Sequence, residues 1–217
     1  MQLRIAPSIL SADFGNLARD IRMLNASADI IHLDIMDGSF VPNLSFGFPV
    51  IESVAKEAAI PMDAHFMVVH PERWVERTAA LGVQMMSFHL EAARNEAEDI
   101  LADIRAKGMK AGLVINPDIP VEDLYPFIGK ADYFLIMSVF AGFGGQKFIE
   151  DSIPRIAALK AELDKAGNDA PIEVDGGVGT ANAARLRDAG ASILVAGSSV
   201  FKAENPAEAI SALRNPR

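Results

Sequence analysis

The sequence predicts a closed (β/α)8 barrel, on three observations. Short β-branched or apolar runs alternate with amphipathic stretches from end to end, and eight such runs occur in a chain of 217 residues. Hydrophobic residues make up 50% of the chain, enough for a sizeable core. No linker, charge block or low-complexity segment divides it, so a single domain over residues 1–217 is expected. Eight strand-helix units at this length suit a closed barrel better than an open doubly wound sheet.

Strands are expected at residues 4–9, 30–36, 62–67, 85–89, 110–115, 133–137, 172–174 and 193–196. Helices are expected between them, at 50–59, 72–81, 96–107, 153–166, 181–189 and 206–213. Pro71 opens one helix, and Gly82, Gly108 and Gly190 follow the ends of others. Within the second strand, side chains alternate across the sheet, so His32, Asp34 and Met36 share one face and Leu33 and Ile35 the other. One face is apolar and the other carries chemistry.

Composition excludes several function classes. A formal charge of −9 and a pI near 4.9 argue against a surface for DNA or RNA, whose binding rests on Lys and Arg neutralising phosphates. Any phosphate bound here is small and locally held. The absence of cysteine removes disulfides, thiolate metal sites and thiol nucleophiles. The start "MQLRIAPSIL" lacks the pattern of a secretory signal, and the least polar run, "YFLIMSVFAGFGG", is too short and glycine-rich to span a bilayer as a helix. A soluble cytoplasmic protein with no membrane partner is expected.

Barrel enzymes gather their reacting groups at the C-terminal ends of the strands. Those ends carry Ser8, His32, Asp34, Met36, His65, Met67, His89, Asn116, Met137, Asp175, Gly197 and Ser198. Imidazole and carboxylate together, as in His32, Asp34, His65 and Asp175, suit one divalent ion, with Zn²⁺, Fe²⁺, Mn²⁺ and Co²⁺ all compatible. A lone inward histidine is more often a hydrogen-bonded core residue, so the argument rests on several such groups falling at strand ends together. His70, beside Pro71, reads as a helix-start residue. His89 either supports another side chain or satisfies a loop.

Glycine supplies a second constellation. "AGFGGQKF", "VDGGVGT" and "VAGSSVF" follow the last three strands, where backbone N–H groups can converge on an anion. The phosphate site of such barrels lies near the last two of these loops. One glycine-rich loop is more often a mere turn; three on adjacent units point to a cradle. Methionine usually fills core gaps, but Met36, Met67 and Met137 end strands at the mouth, where thioethers would line a non-acidic wall beside a reacting carbon.

The segments "APSILSADF", "HLDIMDGSFVPNLSFG", "DAHFMV", "GFGGQKF", "EVDGGV" and "VAGSSVF" resemble ribulose-phosphate 3-epimerases, in the same order and across essentially the whole chain. The resemblance implies a (β/α)8 barrel that uses a divalent metal and no organic cofactor to interconvert D-ribulose 5-phosphate and D-xylulose 5-phosphate. It implies that His32, Asp34, His65 and Asp175 bind the metal and that Ser8 and His65 touch the substrate. Gly142, Phe143, Gly144, Gly145, Asp175, Gly176, Gly177, Gly197 and Ser198 would hold the substrate, chiefly its phosphate end. Inversion at C3 needs an acid and a base on opposite faces. By resemblance, Asp34 accepts the proton and Asp175 donates one when ribulose phosphate is the starting sugar. A homo-oligomer is also implied.

The chain departs from the family pattern at Phe140 and Ala141, where the family commonly has Asn and Pro. The change frees backbone φ and adds apolar surface to a segment expected to cover the substrate. Leu90 and Phe66 also stand where the family usually has proline and leucine. Competing readings are a 3-epimerase for a hexulose 6-phosphate, a Schiff-base lysine enzyme, for which Lys147 and Lys202 are the rim candidates, and a barrel that binds a sugar phosphate without turning it over.

Overall fold

The eight expected runs all form strands in the computed structural model, which describes residues 3–93 and 95–216. They are β1 (Arg4–Ala6), β2 (Ile31–Met36), β3 (Met62–Met67), β4 (Met85–His89), β5 (Lys110–Ile115), β6 (Tyr133–Met137), β7 (Ile172–Asp175) and β8 (Ile193–Val195). All pairings are parallel, in the order β1-β8-β7-β6-β5-β4-β3-β2. A parallel bridge between Ser8 and His32 joins the two ends of that order and closes the barrel.

Strand parity sorts the side chains as expected. Leu33, Ile35, Phe66, Phe88 and Ile136 belong to the main apolar core between barrel and helices. Those helices are α1 (Leu17–Ser27), α2 (Phe48–Glu57), α3 (Val75–Ala80), α4 (Ala97–Ala106), α5 (Ser152–Lys165), α6 (Ala183–Ala189), α7 (Ser198–Phe201) and α8 (Pro206–Arg214). No helix among the described residues is long and apolar enough to cross a membrane.

Several boundaries differ from expectation for local reasons. β1 stops at Ala6 because Pro7 has no N–H to continue the ladder. The chain then turns through a 3₁₀ segment, Ile9–Ser11, capped by Ser8 Oγ accepting from the Leu10 N–H. The stretch expected as one helix at 72–81 divides into a 3₁₀ turn, Pro71–Trp74, and α3. After β5 a 3₁₀ segment, Val121–Phe127, takes the place of an α-helix; Pro126 inside it has no N–H to extend an i→i−4 ladder. α1 was not among the expected helices. Its buried face holds Asp20 with Ile21 and Leu24, and the carboxylate accepts from the Asp13 N–H and pairs with Arg19.

Candidate active site

Register brings the polar strand ends to one height. β2 and β3 pair Asp34 with His65 and Met36 with Met67, and β6 and β7 pair Met137 with Asp175. The ligand atoms of His32, Asp34, His65 and Asp175 all lie within 4.8 Å of one another. Asp34 is central: Oδ2 accepts the Ser8 hydroxyl, and Oδ1 lies 3.2 Å from His65 Nδ1 and 3.4 Å from His32 Nε2. Asp175 Oδ2 approaches His65 Nδ1 at 3.9 Å. The β2 strand end is itself steadied by Ser45, whose hydroxyl donates to the Asp34 carbonyl at 2.6 Å. Ser138 does the same for β7, donating to the carbonyls of Asp175 and Gly176.

The two carboxyl groups are held in opposite protonation states. Burial opposes ionisation of Asp34, but the charges and hydrogen bonds of His32 and His65 outweigh it and hold the carboxyl well below the ordinary range. Burial, and then the charge of Asp34, push Asp175 up to about 7. One acid is thus ionised where its neighbour still carries a proton.

A divalent ion suits this donor set. His32 Nε2 is buried and off the line of a hydrogen bond to Asp34, although it faces that carboxylate. Burial opposes a positive charge on His32, yet Asp34, Asp63 and Glu173 prevail and raise its pKa well above the imidazole norm, so the surroundings call for a cation at this point. Burial draws His65 down to about 4, leaving a neutral ring with a lone pair to offer. The ring nitrogens facing away from the cluster are both tied: His32 Nδ1 lies 2.9 Å from Asp63 Oδ2, and His65 Nε2 lies 2.9 Å from His89 Nε2. His89 Nδ1 in turn faces Glu91 at 3.5 Å. The network is consistent with His65 donating to His89 and keeping its cluster-facing Nδ1 free, while at His32 a bound cation would take the place of the proton on Nε2. His89 therefore supports another side chain, the first of the two roles its sequence position allowed.

An open cleft lies over these groups. Ser8, Asp34, Met36, Met67, Met137, Asp175, Gly142, Phe143, Gly144, Gly145, Gly176, Gly177, Gly197 and Ser198 all line it. His32 and His65 sit beneath, fully buried. The lining also includes Ser11 and Gln146, which the sequence reading passed over. Among the described residues no lysine lines the cleft, which leaves a Schiff-base reading without its nucleophile there. His70 is exposed beside Glu72, away from the cluster.

The loop after β6 is tied down from several sides. Asn43 donates to the Gly142 carbonyl at 2.7 Å, Gln146 donates to the carbonyls of Phe140 and Phe143, and the Ala141 N–H donates to Asn116 Oδ1 at 3.0 Å. A proline at position 141 could not make that last bond, so the departure at Phe140-Ala141 adds an anchor while leaving Phe140 and Phe143 exposed over the mouth. In the next loop Gly177 packs directly against backbone. At φ +61° an added Cβ would lie 2.5 Å from the Phe148 backbone nitrogen. Gly177→Ala is expected to cost at least ~2 kcal/mol in backbone strain and overpacking, and to lower the melting temperature by roughly 4–8 °C. An unchanged thermal unfolding curve would contradict this geometry.

Residues 4–201 match the Ribulose-phosphate 3 epimerase family. The chain belongs to this family. Among members of the ribulose-phosphate 3-epimerase family, the chain is 43% identical over 215 residues to the cytoplasmic isoform of Oryza sativa subsp. japonica, covering 97% of this chain and 92% of that protein. It is 44% identical to the enzyme of Synechocystis, covering 98% and 94%. With that of Bacillus subtilis it shares 41% identity, covering 99% and 100%. Solved structures share the fold: KGPDC from Streptococcus mutans aligns with a TM-score of 0.74 at 13% identity over 100% of this chain and 97% of that one. A 3-hexulose-6-phosphate synthase aligns at 0.68 with 17% identity over 100% and 99%.

Proposed function

We propose that this member of the ribulose-phosphate 3-epimerase family inverts C3 of D-ribulose 5-phosphate and D-xylulose 5-phosphate by proton transfer between two aspartates. The observation that carries the reading is that Asp34 and Asp175 line one cavity and favour opposite protonation states. Starting from ribulose phosphate, ionised Asp34 removes the C3 proton on one face of the sugar. Protonated Asp175 delivers a proton to the other face, and the roles exchange in the reverse direction. The Ser8 hydroxyl, donating to Asp34, keeps that carboxylate aimed. His32, Asp34, His65 and Asp175 would hold one divalent ion, Zn²⁺, Fe²⁺, Mn²⁺ or Co²⁺, and such an ion supplies Lewis acidity to the C2 carbonyl and offsets charge on the enediolate. Backbone N–H groups of Gly176, Gly177, Gly197 and Ser198, with the Gly142 to Gly145 loop, hold the phosphate end. Met36, Met67 and Met137 wall the reacting carbon without offering a competing acid.

Paired turnover with pentulose 5-phosphates and a hexulose 6-phosphate tests the substrate. A higher kcat/KM is expected for the pentulose phosphates; the reverse order would move the assignment to a hexulose 6-phosphate epimerase. Membership of the family also implies a homo-oligomer acting in pentose phosphate metabolism, and the name of the Oryza sativa relative, a cytoplasmic isoform, supports a cytoplasmic location. Light scattering that finds a stable monomer would refute the assembly, and recovery outside the cytosolic fraction would refute the location.

A further inference from the structure

Below the catalytic cluster the barrel interior is polar where such barrels usually hold Val, Ile and Leu. Asp63, Tyr133 and Glu173 are buried there, and the proposed reaction gives none of them a task. A buried carboxylate costs free energy unless hydrogen bonds compensate it. Asp63 is compensated from two directions. It pairs in register with His32, and its Oδ2 lies 2.9 Å from His32 Nδ1. Its Oδ1 accepts the Tyr133 hydroxyl at 2.6 Å.

The phenol needs room, and the neighbouring strand supplies it. Gly112 of β5 sits opposite Tyr133 in register, and an added Cβ would lie 2.3 Å from Tyr133 Cζ. A continuous line of contact therefore runs from Gly112 through Tyr133 and Asp63 to His32, whose other nitrogen faces Asp34. With both Asp63 oxygens engaged, rotation of its carboxyl would break a buried hydrogen bond.

We propose that Asp63 is a positioning residue that fixes His32 in the tautomer protonated at Nδ1 and aims Nε2 at a divalent cation, with Tyr133 orienting Asp63. The inference rests on reading the His/Asp cluster as a cation site. A carboxylate behind a ligating imidazole raises its basicity and fixes its orientation, and loss of such a group typically costs 10- to 100-fold in metal affinity. A purely structural role for the same residues would change stability and leave affinity alone.

The test is competition titration of the metal-free protein with Zn²⁺ against a chromophoric chelator, together with the visible absorption of the Co²⁺ form. Asp63→Asn keeps the shape and removes the charge; it is expected to weaken Zn²⁺ binding by about 10- to 100-fold and to shift the Co²⁺ bands. Tyr133→Phe is expected to weaken binding several-fold in the same direction. Unmodified protein that binds Zn²⁺ no more tightly than Asp63→Asn overturns this inference and leaves the cation site standing. Should Asp63→Asn fail to fold, Tyr133→Phe decides, and unchanged affinity in it overturns the proposal. Unmodified protein that binds neither ion refutes the cation site, and the inference falls with it.

Discussion

Replacing Asp175 by Asn is expected to lower epimerisation by about 10²–10⁴-fold, because an amide of the same shape cannot deliver a proton to C3. The fold should survive the change. Burial and Asp34 raise the Asp175 pKa to about 7, so between the ordinary carboxylate range and pH 7 the folded chain holds a proton that the unfolded chain has released. Stability of the metal-free protein therefore falls as pH rises through that window, and above it the ionised side chain is a full liability. Asp175→Asn removes the liability. Thermal unfolding of metal-free protein at pH 8 should give a melting temperature no lower than that of the unmodified chain. A variant that loses activity only because it unfolds would contradict the assignment.

Asp34→Asn is expected to abolish turnover as completely but to behave oppositely in stability. Asp34 is held in its ionised form, accepts the Ser8 hydroxyl and faces both His32 and His65. A group whose folded pKa is depressed contributes stability above its unfolded value and loses it as pH falls through the folded one. Near neutral pH the whole contribution is present. Removing the charge leaves His32 without its principal counter-charge, at a cost on the order of 3 kcal/mol, which corresponds to about 6–12 °C in melting temperature. Affinity for Zn²⁺ should fall in the same variant. Kinetics and calorimetry on the two variants side by side check both expectations, and similar melting temperatures for the two would contradict the charge assignment.

Much of the candidate site was legible because strand parity is a strict constraint. His32 with Asp34, and Gly176 and Gly177 after Asp175, could be placed at the rim from alternation and order alone. The same alternation places Asp63 two residues before His65, Tyr133 on the inward face of β6, and Glu173 two residues before Asp175. Those positions lie below the rim, where attention to strand ends does not reach. His89 remained ambiguous in sequence since its partner, His65, sits on the adjacent strand and only register shows that the rings meet. The fold was least legible where proline acts on its neighbours: Pro7 shortens β1, and Pro126 lies inside the 3₁₀ segment that follows β5, where the sequence offered no helix. α1 escaped notice because its inward face includes Asp20, a charge whose compensation by Arg19 and the Asp13 N–H is visible only in three dimensions.

Proton transfer across C3 between opposed aspartates can be followed by NMR of C3 in D₂O, in the unmodified chain and in Asp175→Asn. The unmodified chain should form product carrying deuterium at C3 from either pentulose phosphate. Asp175→Asn should wash deuterium into ribulose 5-phosphate without inverting it, since Asp34 still removes and returns a proton on one face, and should leave xylulose 5-phosphate unlabelled. Product that retains the original C3 hydrogen, or near-normal epimerisation by Asp175→Asn, would contradict the account.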